Sequence, residues 1–251
     1  MNLNTFNLET SDSNPQKRDH AVTIQTKTPR GQQTRGTIVE TALRLFQERG
    51  YQQTTMRAIA TKAGVSLGNA YYYFSSKEVL IQAFYERTHH EHIAECASVL
   101  QTATDLKRRL HGVMIAKLDT IKPYHRFAGI LFKTAADPKS PLNPFSAESR
   151  PVREEATAVF ADVLDGSKVK VPKRLRTELP NLLWTYHMAI ILYWIHDTSP
   201  GCRNSYRLVE QTVDLVVKLI GMARLPLLRP LVTRALSLVS DLRAPNSAEV
   251  S

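Results

Sequence analysis

Three constellations in this chain carry residue types that do chemistry, and each implies a different class of protein. The run Gly64-Val65-Ser66-Leu67-Gly68 has the Gly-x-Ser-x-Gly spacing of a hydrolase nucleophile. That motif works only where a buried strand delivers the serine to a sharp turn ahead of a helix. Here residues 56–63 carry helical periodicity and no parallel-sheet pattern exists anywhere, so no catalytic residue is expected and the chain is not expected to be an enzyme. His89, His92 and Cys96 stand three and four apart, so successive pairs share a helix face and could ligate one metal ion. A polar helix surface with one buried cysteine accounts for the same residues, and neither metal nor cofactor is expected.

The third constellation is the stretch from Thr55 to Lys77, TMRAIATKAGVSLGNAYYYFSSK. Two short helical segments flank Gly64-Val65-Ser66, where Gly64 can take the positive φ of a tight turn between helices. Ile59, Ala60, Ala63 and Val65 would pack this pair against an earlier helix through Ala42, Leu45 and Phe46. The exposed side of the third helix then presents Leu67, Gly68, Asn69, Tyr71 and Tyr72. A DNA major groove about 12 Å wide admits one such helix. Thr55 sits at a helix N-terminus, which favours an anion. Tyr72 and Tyr73 offer hydroxyls, and Lys77 opens the next helix. Residues 27–63 add Lys27, Arg30, Arg35, Arg44, Arg49, Arg57 and Lys62 against Glu40 and Glu48 alone. A solvated basic face with three core tyrosines would look the same in composition.

The elements that must position these groups read as all-helical. The chain has 251 residues, 43% hydrophobic and 22% charged, with a net charge of +10. This is globular composition, and the charge favours polyanionic partners without specifying a fold. Helical periodicity predicts helices near 33–49, 56–63, 67–73, 75–101, 105–121, 123–135, 150–164, 173–197 and 205–222, with a further one at 226–242. Ser75 and Glu78 have capping-box spacing for the fourth. Residues 1–31 read as a disordered tail, with Lys17, Arg18, Lys27 and Arg30 as candidate extra DNA contacts, and 244–251 as a frayed end. The longest apolar run, residues 182–195, is too short for a membrane span of roughly 20 residues. Two distant cysteines, Cys96 and Cys202, fit a reducing cytoplasm, and a cytoplasmic location is expected.

The order Ile38, Ala42, Leu45-Phe46, Gly50-Tyr51, Thr55, Arg57, Ile59-Ala60, Ala63-Gly64-Val65-Ser66, Gly68, Tyr71-Tyr72-Tyr73-Phe74, Ser76-Lys77-Glu78, Leu80 resembles the N-terminal domain of the tetracycline-repressor (TetR) family over residues 33–80. Ala70 departs from it, since that position more often holds Leu, Ile or Val. The resemblance implies a helix-turn-helix domain at 32–80 followed by a larger helical domain at 81–243 for dimerisation and ligand binding. By resemblance Thr55, Tyr72, Tyr73 and Lys77, with Arg35, hold DNA phosphates, while Leu67, Gly68, Asn69 and Tyr71 approach bases. It also implies a homodimer on a pseudo-palindromic operator in double-stranded DNA, and a repressor released when a small apolar or amphipathic effector tilts the helix joining the domains. A ligand-independent DNA-architectural or interaction protein built on the same module is the alternative.

Residues 173–222 are the most apolar part of the chain and need burial on several sides. A two-fold interface would use one patch twice, with Tyr186, Ile190, Tyr193, Val213, Val216 and Ile220 as its expected members. Phe127, Leu131, Trp184, His187 and Met188 are the expected lining of an effector pocket, since such sites are mostly apolar with a few polar groups. Plain core would show the same helical stripes.

Overall fold

The computed structural model describes residues 28–223 together with Leu225, Pro230 and Arg234. The expected tail contacts at Lys17, Arg18 and Lys27, the helix at 226–242 and the frayed end lie outside or almost outside these residues. Among them every regular element is helical. The helices are α1 (Pro29–Arg49), α2 (Met56–Ala63), α3 (Leu67–Tyr73), α4 (Lys77–Thr102), α5 (Leu106–Ile121), α6 (His125–Ala135), α7 (Arg150–Asp165), α8 (Lys173–Ile195) and α9 (Arg203–Met222).

Local chemistry fixes most of the boundaries. The α1 helix begins four residues before the predicted start, because Thr28 caps it, its hydroxyl accepting from Gly31 N at 3.2 Å, and Pro29 suits the first turn. Gly64 ends α2 in the left-handed conformation at φ 70°, and Ser66 opens α3 by accepting from Asn69 N at 3.1 Å. At α4 the cap is Ser76, bonded to Val79 N, one residue beyond the Ser75 that the capping-box spacing indicates. Each such cap contributes about 1 kcal/mol.

Two cores result. The first gathers Ile38, Ala42, Leu45 and Phe46 of α1, Ile59 and Ala60 of α2, Ala70 of α3, and Leu80, Ile81 and Phe84 of α4. It also takes Phe127, Leu131 and Ala135 from α6. Phe127 is fully buried, stacked on Phe46 at 5.7 Å and edge-on to Phe84 at 6.2 Å. The helix-turn-helix domain is therefore not closed at residue 80; α6 completes its core. The second core is built from α5, α7, α8 and α9, with Cys96 from α4. His125 of α6 reaches it, its Nε2 lying 2.8 Å from Trp194 O.

The second core is fastened by Arg109 of α5, which is 3% exposed. Its guanidinium donates to Leu100 O and Ala103 O at the end of α4, and to Asp162 O and Val163 O at the end of α7, at 2.6–3.0 Å. Two helix C-termini, each the negative end of a dipole, thus converge on one enclosed cation. Gly166 closes the enclosure. A Cβ there would fall 2.2 Å from Arg109 Nη2, and the pinned guanidinium cannot retreat. At the start of α9, Asp197 accepts from Ser199 N, Ser205 N and the Ser205 hydroxyl. Burial alone would raise its pKa, but these bonds outweigh it and hold the carboxyl at about 2.

Gly166→Ala should cost about 2 kcal/mol through overpacking, lowering Tm by roughly 4–8 °C. In an Arg109→Met background the same change should cost much less, and calorimetry on the four proteins measures this coupling. Because the folded carboxyl of Asp197 lies below its ordinary 3.8, its contribution is present above that pH and disappears as pH falls towards 2. Acid unfolding followed by circular dichroism should be less steep in Asp197→Asn.

Candidate nucleic-acid interface and regulatory core

The three-helix module leaves one face of α3 open. Gly68 and Asn69 are exposed, with Tyr71 and Tyr72 at 49% and 56%. Ala70, on the opposite side, is fully buried. The small residue thus sits against the first core, where a larger one would lift α3 outward. Leu67 is only partly exposed and packs on that core, so it has less reach than its neighbours. Ser66, the serine of the hydrolase-like run, is spent as a helix cap on a helix-turn-helix connection, which is not the strand-to-helix turn a nucleophile needs.

The expected phosphate set is more divided. Thr55 is exposed, and its hydroxyl caps α2 by accepting from Ala58 N at 3.1 Å. Tyr72 is open, whereas Tyr73 is half-buried and edge-on to it at 5.2 Å. Lys77 is turned inward. Its Nζ donates to Tyr51 O at 2.7 Å and lies 4.2 Å above the Tyr51 ring, and burial lowers its pKa. Tyr51 in turn donates to Glu78, so Lys77 and Glu78 together tie the start of α4 to the α1–α2 connection. Arg35 stands over the Phe74 ring at 5.2 Å and 3.8 Å from Glu86. By contrast Arg44, Arg49, Arg57 and Lys62 are exposed, and no ion pair among the described residues occupies them. These free cations are the ones the charge count alone had pointed to.

The five expected pocket residues do not share one space. Phe127 and Leu131 belong to the first core, while Trp184 and Met188 belong to the second, where His187 lies against Phe160. The division follows from α6 being drawn towards α1. A shallow cleft of about 380 Å³ opens between α7 and α8, beside Asp165, Arg176 and Pro180, and none of the five lines it. The histidines of α4 are also placed differently from a polar surface: His89 and His92 are 4% and 3% exposed. Among the described residues no group of His, Cys, Asp or Glu is arranged to hold a metal ion.

The expected dimer residues divide as well. Ile190, Val213 and Ile220 are buried in the chain's own core. Tyr186 is half-buried, its hydroxyl 2.5 Å from Thr212 Oγ1, and Val216 is partly covered. Tyr193 is 44% exposed, and it shares the open apolar face with Leu192, Leu215, Leu219 and Met222 at 42–54%. On α9 the exposed members follow the spacing 215, 219, 222, a second stripe beside the one that faces inward. Periodicity reveals both stripes, but it does not say which meets the chain itself.

Residues 38–84 match the profile of bacterial regulatory proteins of the tetR family, and residues 109–238 match the tetracyclin repressor-like C-terminal domain. The repressor KstR2 of Mycobacterium tuberculosis is 31% identical over 91 residues, 36% of this chain and 46% of that protein. The regulator TtgR of Pseudomonas putida is 41% identical over 68 residues, 26% of this chain and 32% of its own length. The chain thus spans less than half the length of these two relatives. The activator FasR of Mycolicibacterium smegmatis is 26% identical over 197 residues, 78% of this chain and 85% of that one. Among solved structures, FadR from Bacillus subtilis in complex with stearoyl-CoA superposes with a TM-score of 0.58 at 16% identity, covering 72% of this chain and 97% of that one. No described helix is long and apolar enough to cross a membrane. With the C-terminal profile alone spanning over half its length, the chain belongs to the tetracycline-repressor family of bacterial regulatory proteins.

Proposed function

We propose that this chain is a homodimeric operator-binding repressor that a small apolar or amphipathic effector releases from DNA. The observation that carries the reading is the open face of α3, where Gly68, Asn69, Tyr71 and Tyr72 project from a helix backed by buried Ala70. Arg44 and Arg49 of α1 and Arg57 and Lys62 of α2 add exposed positive charge to the module, and the start of α2 at Thr55 offers an anion site. In this reading Asn69 and Tyr71 read bases, while Thr55, Tyr72 and the free cations hold phosphates. Lys77 and Arg35 chiefly fix the angle of the module, and Lys77 reaches a phosphate only by leaving Tyr51.

The face of α8 and α9 bearing Leu192, Tyr193, Leu215, Leu219 and Met222 supports the dimer, because a contiguous apolar patch of this kind marks an association surface. The repressor sign and the effector follow from relatives, KstR2 being a repressor and FadR a stearoyl-CoA complex; FasR, an activator, is the opposite case.

Footprinting on fragments selected from the source genome tests the reading. One protected inverted repeat supports it, whereas featureless coverage favours an architectural protein. Asn69→Ala and Tyr71→Ala should each lose ~1–3 kcal/mol at one base position and relax its specificity. Arg57→Ala should weaken all sequences alike and reduce the salt slope by about 1. Lys77→Ala should lower Tm with little change in that slope; a full unit of change would return Lys77 to the phosphate set. Leu215→Glu with Leu219→Glu should give a folded monomer by light scattering and cost most of the operator affinity. A dimer that survives both substitutions places the interface elsewhere.

A further inference from the structure

The interior of the second core holds a group of polar side chains that the fold does not use. His187 on α8 is 4% exposed, and neither of its ring nitrogens has a hydrogen-bond partner. A neutral imidazole carries one donor and one acceptor, and enclosing both unpaired is a cost natural proteins seldom leave unexplained. Its ring lies 5.8 Å from His92 of α4, nearly parallel, and 5.5 Å from Phe160 of α7. His92 is partly satisfied, its Nε2 standing 3.0 Å from Val113 O. His89, one turn away, has its Nε2 3.4 Å from Glu155 Oε2 without hydrogen-bond geometry.

Lys117 of α5, itself partly exposed, acts electrostatically on the same group. It lowers the pKa of all three histidines, second to burial in each case. Burial pushes Lys117 itself down to about 8, so it keeps its proton at neutral pH. Among the described residues no hydrogen bond or ion pair engages it, and the acid that acts on it, Glu91, stands 3.7 Å from Arg87 Nε. The cluster is thus one cation and three uncharged imidazoles, with Glu155 beside His89 and Glu91 held towards Arg87. Around it the walls are apolar: Met114, Phe160, Leu183 and Trp184 are buried. Phe145, from the connection between α6 and α7, lies 5.4 Å from Trp184 and is itself 66% exposed.

We infer that this cluster is the head-group site of the effector, and that the effector is an apolar molecule ending in a carboxylate, held by Lys117 and His187. The inference rests on the effector-sensing reading above and adds the chemistry of what is sensed. A carboxylate supplies the negative charge that Lys117 lacks and accepts the N–H of His187, while an apolar tail replaces the packing of Trp184 and Phe160. A neutral ester or alcohol leaves the cation unanswered, so the site discriminates against it.

Titration calorimetry on the DNA-free full chain at pH 7, with dodecanoate, methyl dodecanoate and dodecanoyl-CoA, tests this. Dodecanoate should bind at least ~30-fold more tightly than the ester or the thioester, as losing one partner of an enclosed charge pair implies. Lys117→Met should abolish that preference, and Lys117→Arg should restore most of it. His187→Phe should weaken the acid and leave the ester unchanged. Circular dichroism and operator binding without ligand verify that each variant folds. Equal binding of acid and ester, a preference that survives Lys117→Met, or no binding by any saturated acid from octanoate to octadecanoate overturns the assignment. The two readings fail separately. If neutral compounds displace operator and acids do not, the carboxylate site falls and sensing stands. If dodecanoate binds through Lys117 while the operator complex is unaffected, the site stands and sensing falls.

Discussion

The ring of Phe127 is where the two halves of this molecule become one. With Leu131 and Ala135 it carries α6 into the core of the helix-turn-helix module, and it alone stands between Phe46 of α1 and Phe84 of α4. Two residues earlier, His125 is bonded to the backbone of α8 at Trp194. A side chain enclosed on all sides cannot shift without moving its neighbours, because interiors are packed at crystal density. The angle of α3 relative to α8 and α9 therefore depends on α6, which is gripped at successive turns by both cores. In a dimer joined through α8 and α9, that same dependence would set the separation of two recognition helices, which a groove repeat of about 34–36 Å tolerates poorly when it changes.

The parts of this arrangement that were legible in the sequence are the local ones. Thr55, Gly64 and Ser66 act within four residues of themselves, as caps and as a left-handed turn, so their spacing is enough to place α2 and α3. Lys77 and Arg35 are different. Their partners, Tyr51 26 residues away and Glu86 51 away, come from tertiary packing, and nothing in the local pattern distinguishes an ammonium aimed at a phosphate from one folded over a ring. The same limit applies to α9. Val213 and Leu215 are equally apolar and two residues apart, yet one is enclosed and the other 54% exposed. Periodicity defines a face only when the other face is polar.

Burial of polar residues is the hardest feature to read in advance. His89 and His92 lie in a run of five polar residues, Thr88 to His92, that looks like a solvated surface, and the structure encloses three of them. The signal lay in their partners on other helices, Lys117 on α5 and His187 on α8, which only the bundle brings together. The contrast with Arg109 is instructive. That cation is enclosed and four carbonyls meet it, so it reads as architecture. Lys117 is partly exposed and has no such complement among the described residues, and on the proposal above that difference separates a strut from a receptor.

The enclosure of Arg109 has a further consequence for how the molecule responds to its solvent. Mobile ions screen exposed charges over about 8–10 Å near physiological ionic strength and reach enclosed pairs much less. The attraction between Arg109 and the two helix ends therefore persists in brine, while the grip of Arg44, Arg49, Arg57 and Lys62 on a polyanion is lost to competing counterions. Concentrated salt should separate the protein from a nucleic acid without loosening the bundle.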